Sequence, residues 1–343
     1  MKGRLLLILS VLIIGLLGCR ATQKEVKNPV SEIKYTNPLD DDGADYSDPW
    51  MIQAGERYYY CGSTPDNTLI IKRGADSTTL LTKSDHVVWS APAGTDYSKE
   101  LWAPELHFLE GHWYIYFAAD DGNNANHRMY ALRGGSDPAD PLAGKYTFQG
   151  KVAAPTDRWA IDGTVLSLNH QLYFIWSGWA GSHNVAQNLY IAPMSDPLTI
   201  SGERVMISTP DHLFEQHGQP FVNEGPEVLQ HKGKIMVIYS ASGSWTDDYC
   251  LGQLTLNGDA PLVAANWQKK AQPVFQKTHE VFGPGHCSFI QSPSHTPYLV
   301  YHAAVTQGSG WQRNIRMQAF GWHRDHTPDF EQPITPGKEL TFK

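Results

Sequence analysis

Five short aromatic runs recur along the chain at nearly even spacing, and each is preceded by a polar residue able to do chemistry. The runs are Tyr58-Tyr59-Tyr60-Cys61, Tyr114-Ile115-Tyr116-Phe117, Phe174-Ile175-Trp176-Ser177, Val237-Ile238-Tyr239-Ser240 and Leu299-Val300-Tyr301-His302. With Tyr60, Tyr116, Trp176, Tyr239 and Tyr301 as equivalents, the steps are 56, 60, 63 and 62 residues. Asp48, Glu105, Asp162, Glu224 and His286 lie upstream of them by 12, 11, 14, 15 and 15 residues. A lone acid means little, but four acids and a histidine in register with a repeat are a strong signal. Radial repetition of antiparallel strands makes a propeller, with the first strand of each blade towards the central axis. The register predicts an all-β, five-bladed β-propeller whose axial pocket gathers these five residues.

Length and composition agree. About 310 residues follow position 34, large for one domain, yet five blades of roughly 60 residues account for them without a linker. No Ser/Gly-rich or charged run divides the chain. The 22 prolines and 30 glycines interrupt any long amphipathic helix, whereas Val87-Val88-Trp89 and Leu189-Tyr190-Ile191 read as further strands. A formal charge of −8 with scattered Lys and Arg argues against a nucleic-acid groove. The 11 tryptophans and 16 tyrosines suit packing between blades and, for a minority, stacking on neutral sugar rings.

Residues 1–19 have a separate purpose. Lys2 and Arg4 give a positive start, residues 5–17 are an almost unbroken apolar run, and Leu16-Leu17-Gly18-Cys19 follows. The run is short for a membrane span and normal for a secretory signal. Its ending resembles a bacterial lipobox, in which Cys19 is lipidated and becomes the mature N-terminus; an ordinary signal peptide cut nearby is the plainer alternative. Arg20, rather than Asp, follows the cysteine, and by resemblance to known lipoproteins that favours the outer membrane. Residues 20–34 read as a polar tether and 35–343 as the propeller domain, a monomer held to the cell envelope by its acyl chains. Cys61, Cys250 and Cys287 remain, an odd number, so at least one thiol is unpaired within the monomer. No pair has zinc-ligand spacing.

The local contexts sharpen the picture: Ser47-Asp48-Pro49-Trp50, Trp102-Ala103-Pro104-Glu105-Leu106-His107, Ile161-Asp162-Gly163-Thr164, Asn223-Glu224-Gly225-Pro226-Glu227 and Gly283-Pro284-Gly285-His286-Cys287-Ser288. In order and spacing these resemble glycoside hydrolase family 43 from about Tyr35 to the end, and Asn314-Ile315-Arg316-Met317-Gln318 is similar to that family too. Ser-Asp-Pro also occurs at Ser136-Asp137-Pro138 and Ser195-Asp196-Pro197, where a surface turn is the better reading. The resemblance implies a five-bladed propeller that hydrolyses glycosides with inversion. It implies Asp48 as general base, Glu224 as general acid, and Asp162 as the carboxylate that orients the acid and keeps its pKa high. Asp45 competes with Asp48 but lacks the Pro-Trp context. Glu227 competes with Glu224; alternation on a regular strand turns residues three apart to opposite faces, and the Glu-Gly-Pro context selects Glu224.

The resemblance also implies that Trp102 lines the pocket and that Glu105 either touches sugar or supports the wall. Trp50 is expected as an apolar wall against a furanose, and Arg316 as a donor to a sugar hydroxyl or an inter-blade ion pair. Chemistry of this kind needs no cofactor. Some relatives hold a calcium ion near the axis through a histidine and waters, so His286 is expected to face such an ion or a water cluster, although calcium prefers oxygen ligands. The polar loop at 119–127 is expected at the pocket rim, with Asp120 and Asp121 solvated.

The substrate expected is plant cell-wall arabinan, acted on by an exo-acting α-L-arabinofuranosidase that removes side chains. A β-xylosidase or an endo-α-1,5-arabinanase of the same family is the alternative, as is a non-catalytic surface sugar-binding propeller. The chain shows no C-terminal β-sandwich of the kind many xylosidase relatives use, and that favours the arabinofuranosidase.

Overall fold

The aromatic runs form the second strands of five successive antiparallel sheets, the third and fourth of which are joined by a short parallel pairing of Ala186 and Gln187 with Phe221 and Val222. The structure, a computed structural model, describes residues 32–39 and 46–343. The first strands are Trp50–Ala54, Lys99–Leu109, Ala160–Leu168, Phe221–His231 and Phe282–Gln291. They pair with Arg57–Thr64, His112–Asp120, Gln171–Trp179, Lys234–Ala241 and Pro297–Ala304. Third strands follow at Thr68–Gly74, Arg128–Arg133, Ala186–Asp196, Cys250–Leu256 and Arg313–Ala319. A fourth strand completes all but the fifth sheet, and the strands expected around Trp89 and Tyr190 are both present. The helical elements among the described residues are short 3-10 turns.

Tight turns fix the register of the first hairpins. Leu109 faces His112, Leu168 faces Gln171, and His231 faces Lys234, leaving two-residue loops. Both residues of each loop have positive φ: Glu110 and Gly111, Asn169 and His170, Lys232 and Gly233. That conformation matches the right-handed twist of the flanking strands. Because side chains alternate along a strand, register decides which side each first-strand residue presents.

The second strands are buried on both faces because each sheet packs on two others. Tyr59 and Cys61 join Trp113, Ile115 and Phe117 of the second sheet, while Tyr58 and Tyr60 join Tyr298 and Val300 of the fifth. Tyr116 packs with Phe174 and Trp176 of the third. Ile175 meets Val237 and Tyr239 of the fourth, and Ile238 meets Leu299 and Tyr301 of the fifth. Burying one such side chain is worth about 1.5–3 kcal/mol, so the aromatic repeat stabilises the whole assembly of sheets. Cys61, Cys250 and Cys287 are free and buried within these layers, as expected for small apolar fillers.

Ile33–Tyr35 pairs antiparallel with Leu340–Phe342. The unit that contains the five sheets therefore begins at Glu32, and the last residues assigned to the tether belong to its edge. The lipobox, Cys19 and the rest of the tether lie outside the described residues.

Candidate active site

Each of the five sheets departs from regular β structure at or beside its polar residue, within the first strand or, for Asp48, just before it. Asp48, Ala103, Asp162, Gly225 and His286 have φ of 49°, 44°, 55°, 51° and 44°. Non-glycine residues occupy this region at a cost, and such outliers concentrate where side chains must be aimed. Register shifts accompany them, between Trp102 and Glu105, Ile161 and Thr164, Glu224 and Glu227, and Gly285 and Cys287. A Cβ at Gly225 would stand 3.1 Å from the His286 ring on a backbone of positive φ, so any other residue there would be strained and would crowd that ring. The bulge also alters the expected relation of Glu224 to Glu227. An extra residue resets the alternation, so both acids are buried (8% and 7% exposed).

Asp48 is the most open acid of the group, with a side chain 23% exposed. Its Oδ1 lies 3.1 Å from His286 Nδ1 and 3.7 Å from an Arg313 guanidinium nitrogen. The Asp48 backbone N–H donates to His302 Nδ1 at 3.0 Å. That ring nitrogen therefore carries no proton, and burial holds the His302 pKa down to about 3, so the ring is neutral. Burial pushes the Asp48 carboxyl up, yet His286, then His302 and last Arg313, outweigh it and hold the group well below the usual carboxylate range.

Glu224 has the opposite environment. Burial raises its pKa to about 7, with the Asp48 charge adding to the rise, while a hydrogen bond donated by Tyr249 Oη at 2.8 Å works against it. Asp162 is 3% exposed and accepts the Gly225 N–H at 3.0 Å. Burial, then Glu224 and Asp48, push its pKa well up. Asp162 and Glu224 are therefore a coupled pair that resists losing both protons.

Glu105 and Glu227 make a second acidic pair. Burial raises both, and the charge of Glu105 raises Glu227 further. Glu105 shares a 2.8 Å hydrogen bond with His107 Nε2, whose pKa burial lowers to about 3. Among the described residues no group of three or more His, Cys, Asp or Glu is placed to hold a metal. The donors around His286 are nitrogen-rich, with Arg313 and His302 beside Asp48, which suits calcium poorly.

The other expected residues are placed differently from one another. Trp50 is 8% exposed, donates its indole N–H to Leu106 O and lies 4.7 Å from the His107 ring, so it packs between the first and second sheets. Trp102 stacks on His127 at 3.9 Å. Asp121 is exposed as expected, but Asp120 is fully buried, 3.1 Å from His127, and braces the 119–127 loop behind Trp102. Asp137 and Asp196 accept backbone N–H groups two residues on, as turn residues do. Arg316 is buried opposite Tyr301 and bonded to Asn314. Arg313, three residues earlier and so on the other face of the strand, is the guanidinium beside Asp48. Asp45, the competing base, lies outside the described residues.

Three contributors escaped the motifs: Tyr249, His302 and Arg313. His302 ends the last aromatic run, and its pairing with Gly285 puts it next to His286. Arg313 directly precedes the Asn314-Ile315-Arg316 segment. Tyr249 carried no local signal.

An ionised carboxylate and a buried, protonated carboxyl gathered in one all-β site are the equipment of a glycoside hydrolase. The chain belongs to the glycosyl hydrolases family 43, whose family model matches residues 35–328. It is 36% identical over 320 residues to an extracellular exo-α-(1→5)-L-arabinofuranosidase of Streptomyces avermitilis, covering 89% of this chain and 65% of that protein. A protein of the same description from Streptomyces chartreusis is 32% identical, covering 78% of this chain and 82% of its own length. An α-L-arabinofuranosidase structure from Lactobacillus brevis superposes with a TM-score of 0.80 at 33% identity, covering 89% and 98% of the two chains. The chain thus spans slightly less than two thirds of the Streptomyces avermitilis protein.

Proposed function

We propose that this family 43 glycoside hydrolase is an exo-acting α-L-arabinofuranosidase that removes arabinofuranosyl residues, chiefly side chains, from arabinan with inversion. The observation that carries this reading is the opposite tuning of two acids. Asp48 beside Arg313 stays ionised and accepts a proton from water; Glu224, with its pKa at about 7, still holds a proton for the departing oxygen. Asp162 holds the Gly225 amide next to the acid and shares its proton load. The five sheets, each packed on two others, are read as the blades of a five-bladed propeller with these residues at its axis. The names of the relatives support arabinofuranose as the sugar.

Lipidation at Cys19, attachment to the outer membrane and a monomeric state complete the proposal; they rest on the sequence of residues 1–34. An anchored hydrolase meets polymers before uptake, which suits a polysaccharide substrate.

Release of 4-nitrophenol from its α-L-arabinofuranoside tests the reading, with Glu224→Gln as the control. Proton NMR of the first-formed sugar gives the anomeric outcome, and inversion is expected. Free arabinose from branched but not linear arabinan supports side-chain specificity. A ladder of oligosaccharides sinks the exo assignment, and binding without any turnover moves the protein to the sugar-binding class.

A further inference from the structure

The most exposed aromatic ring of the structure stands at the end of the sheets where the acids lie. Trp311 is 61% exposed. It belongs to the 305–312 loop between the second and third strands of the fifth sheet. Ala304 pairs with Phe282 and His302 with Gly285, so this loop emerges at the His286 end. The corresponding loop of the fourth sheet, 242–249, follows Ala241, which pairs with Asn223 next to Glu224. It carries Trp245, whose ring meets Trp311 edge-on at 6.2 Å.

Both loops are held in place. The Trp311 indole N–H donates to Ser244 Oγ at 3.1 Å, and Arg313 donates to Ser244 O at 2.8 Å. Gly308 N–H donates to Asp247 Oδ1 at 2.8 Å, and Gly283 N–H to Asp247 O at 2.9 Å. An indole whose polar atom is already satisfied offers a partner only its apolar surface. Holding that surface in water costs free energy unless something covers it. The bracing keeps it there.

The 242–249 loop ends at Tyr249, which donates to Glu224, and Trp311 is fastened to Ser244 of that same loop. The acid protonates the leaving oxygen, so whatever leaves lies on the Glu224 side. We propose that Trp311, edged by Trp245, is the platform on which the leaving-group portion of the polysaccharide rests. The ligand class is a chain of neutral sugar rings whose apolar faces stack on indole. The assignment builds on the glycosidase reading above and adds where the rest of the substrate lies.

The test compares wild type with Trp311→Ala and Trp311→Tyr on 4-nitrophenyl α-L-arabinofuranoside and on arabino-oligosaccharides of increasing length. A lost stacking contact of the usual size lowers kcat/KM on the longer oligosaccharides by about 3- to 10-fold relative to the aryl glycoside. The loss is carried by KM, grows with chain length and is largely restored by tyrosine. Equal losses on both substrates, or none on either, overturn the platform. A wild-type protein inactive on every arabinofuranoside overturns the arabinofuranosidase reading instead. The platform is then judged by calorimetry with the same oligosaccharides: weaker binding by Trp311→Ala supports it, and equal binding overturns it.

Discussion

Replacing Tyr249 by Phe removes one hydroxyl and addresses the proposed proton donor. That hydroxyl donates to Glu224 Oε1 at 2.8 Å, and a hydrogen bond to the charged form lowers a carboxyl pKa. Bonds to charged groups contribute about 1.5–3 kcal/mol. The protonated acid keeps part of that bond, so the differential is nearer 1.4 kcal/mol, or about one pKa unit. Without the hydroxyl, Glu224 should titrate about one unit above its starting value of about 7. A general acid works protonated, so activity is lost as pH rises through this pKa. The alkaline limb of the kcat/KM profile should move upward by about one pH unit. The substrate must be an arabino-oligosaccharide, whose leaving hydroxyl needs the proton. The phenyl ring retains the stacking on His302, 5.6 Å away and nearly parallel, and near-UV circular dichroism checks that the site stays packed. An alkaline limb that stays put, or moves to lower pH, refutes the assignment of Glu224.

Asp162→Asn should move the same limb the other way. The substitution keeps an oxygen for the Gly225 amide but removes the carboxyl that competes with Glu224 for protons, so the acid's pKa falls; an upward move contradicts the coupling. Asp48→Ala should cost about 100- to 10,000-fold in turnover, the usual size of general-base assistance, with the melting profile unchanged in shape. Retained turnover would transfer the base to Asp45.

How far the site was legible depended on the chain distance over which each residue acts. The five polar residues could be read because every first strand sits at a nearly constant offset from an aromatic run, and that offset is local. The hairpin turns at Glu110-Gly111 and Lys232-Gly233 are local too. The relation of Glu224 to Glu227 was not legible: a bulge at Gly225 breaks the alternation on which a strand reading depends. Trp50 carried an expectation of sugar contact, and its own motif gave no hint that its indole also bonds Leu106 and packs on His107 of the next sheet. Asp120 looked solvated because its loop is polar, yet His127, seven residues on, folds back over it. Tyr249, His302 and Arg313 act across sheets, and nothing in their immediate sequence context encodes that.

The placement of cations explains why the same residue type has two roles here. Asp162 feels the charges of Glu224, Asp48 and Glu105, Glu224 feels that of Asp48, and Glu227 feels that of Glu105. Five carboxylates so placed cannot all ionise at neutral pH without large mutual repulsion. Arg313 stands beside Asp48 at 3.7 Å and His286 Nδ1 lies 3.1 Å from the same oxygen, so the negative charge settles there. Burial raises the pKa of Glu105, Asp162 and Glu227 as well, which limits how much negative charge the site carries at once. Glu224 is raised to about 7, its burial partly offset by the Tyr249 hydroxyl. The first strands supply interchangeable acids, and residues from later strands and loops decide which one gives a proton and which one takes it.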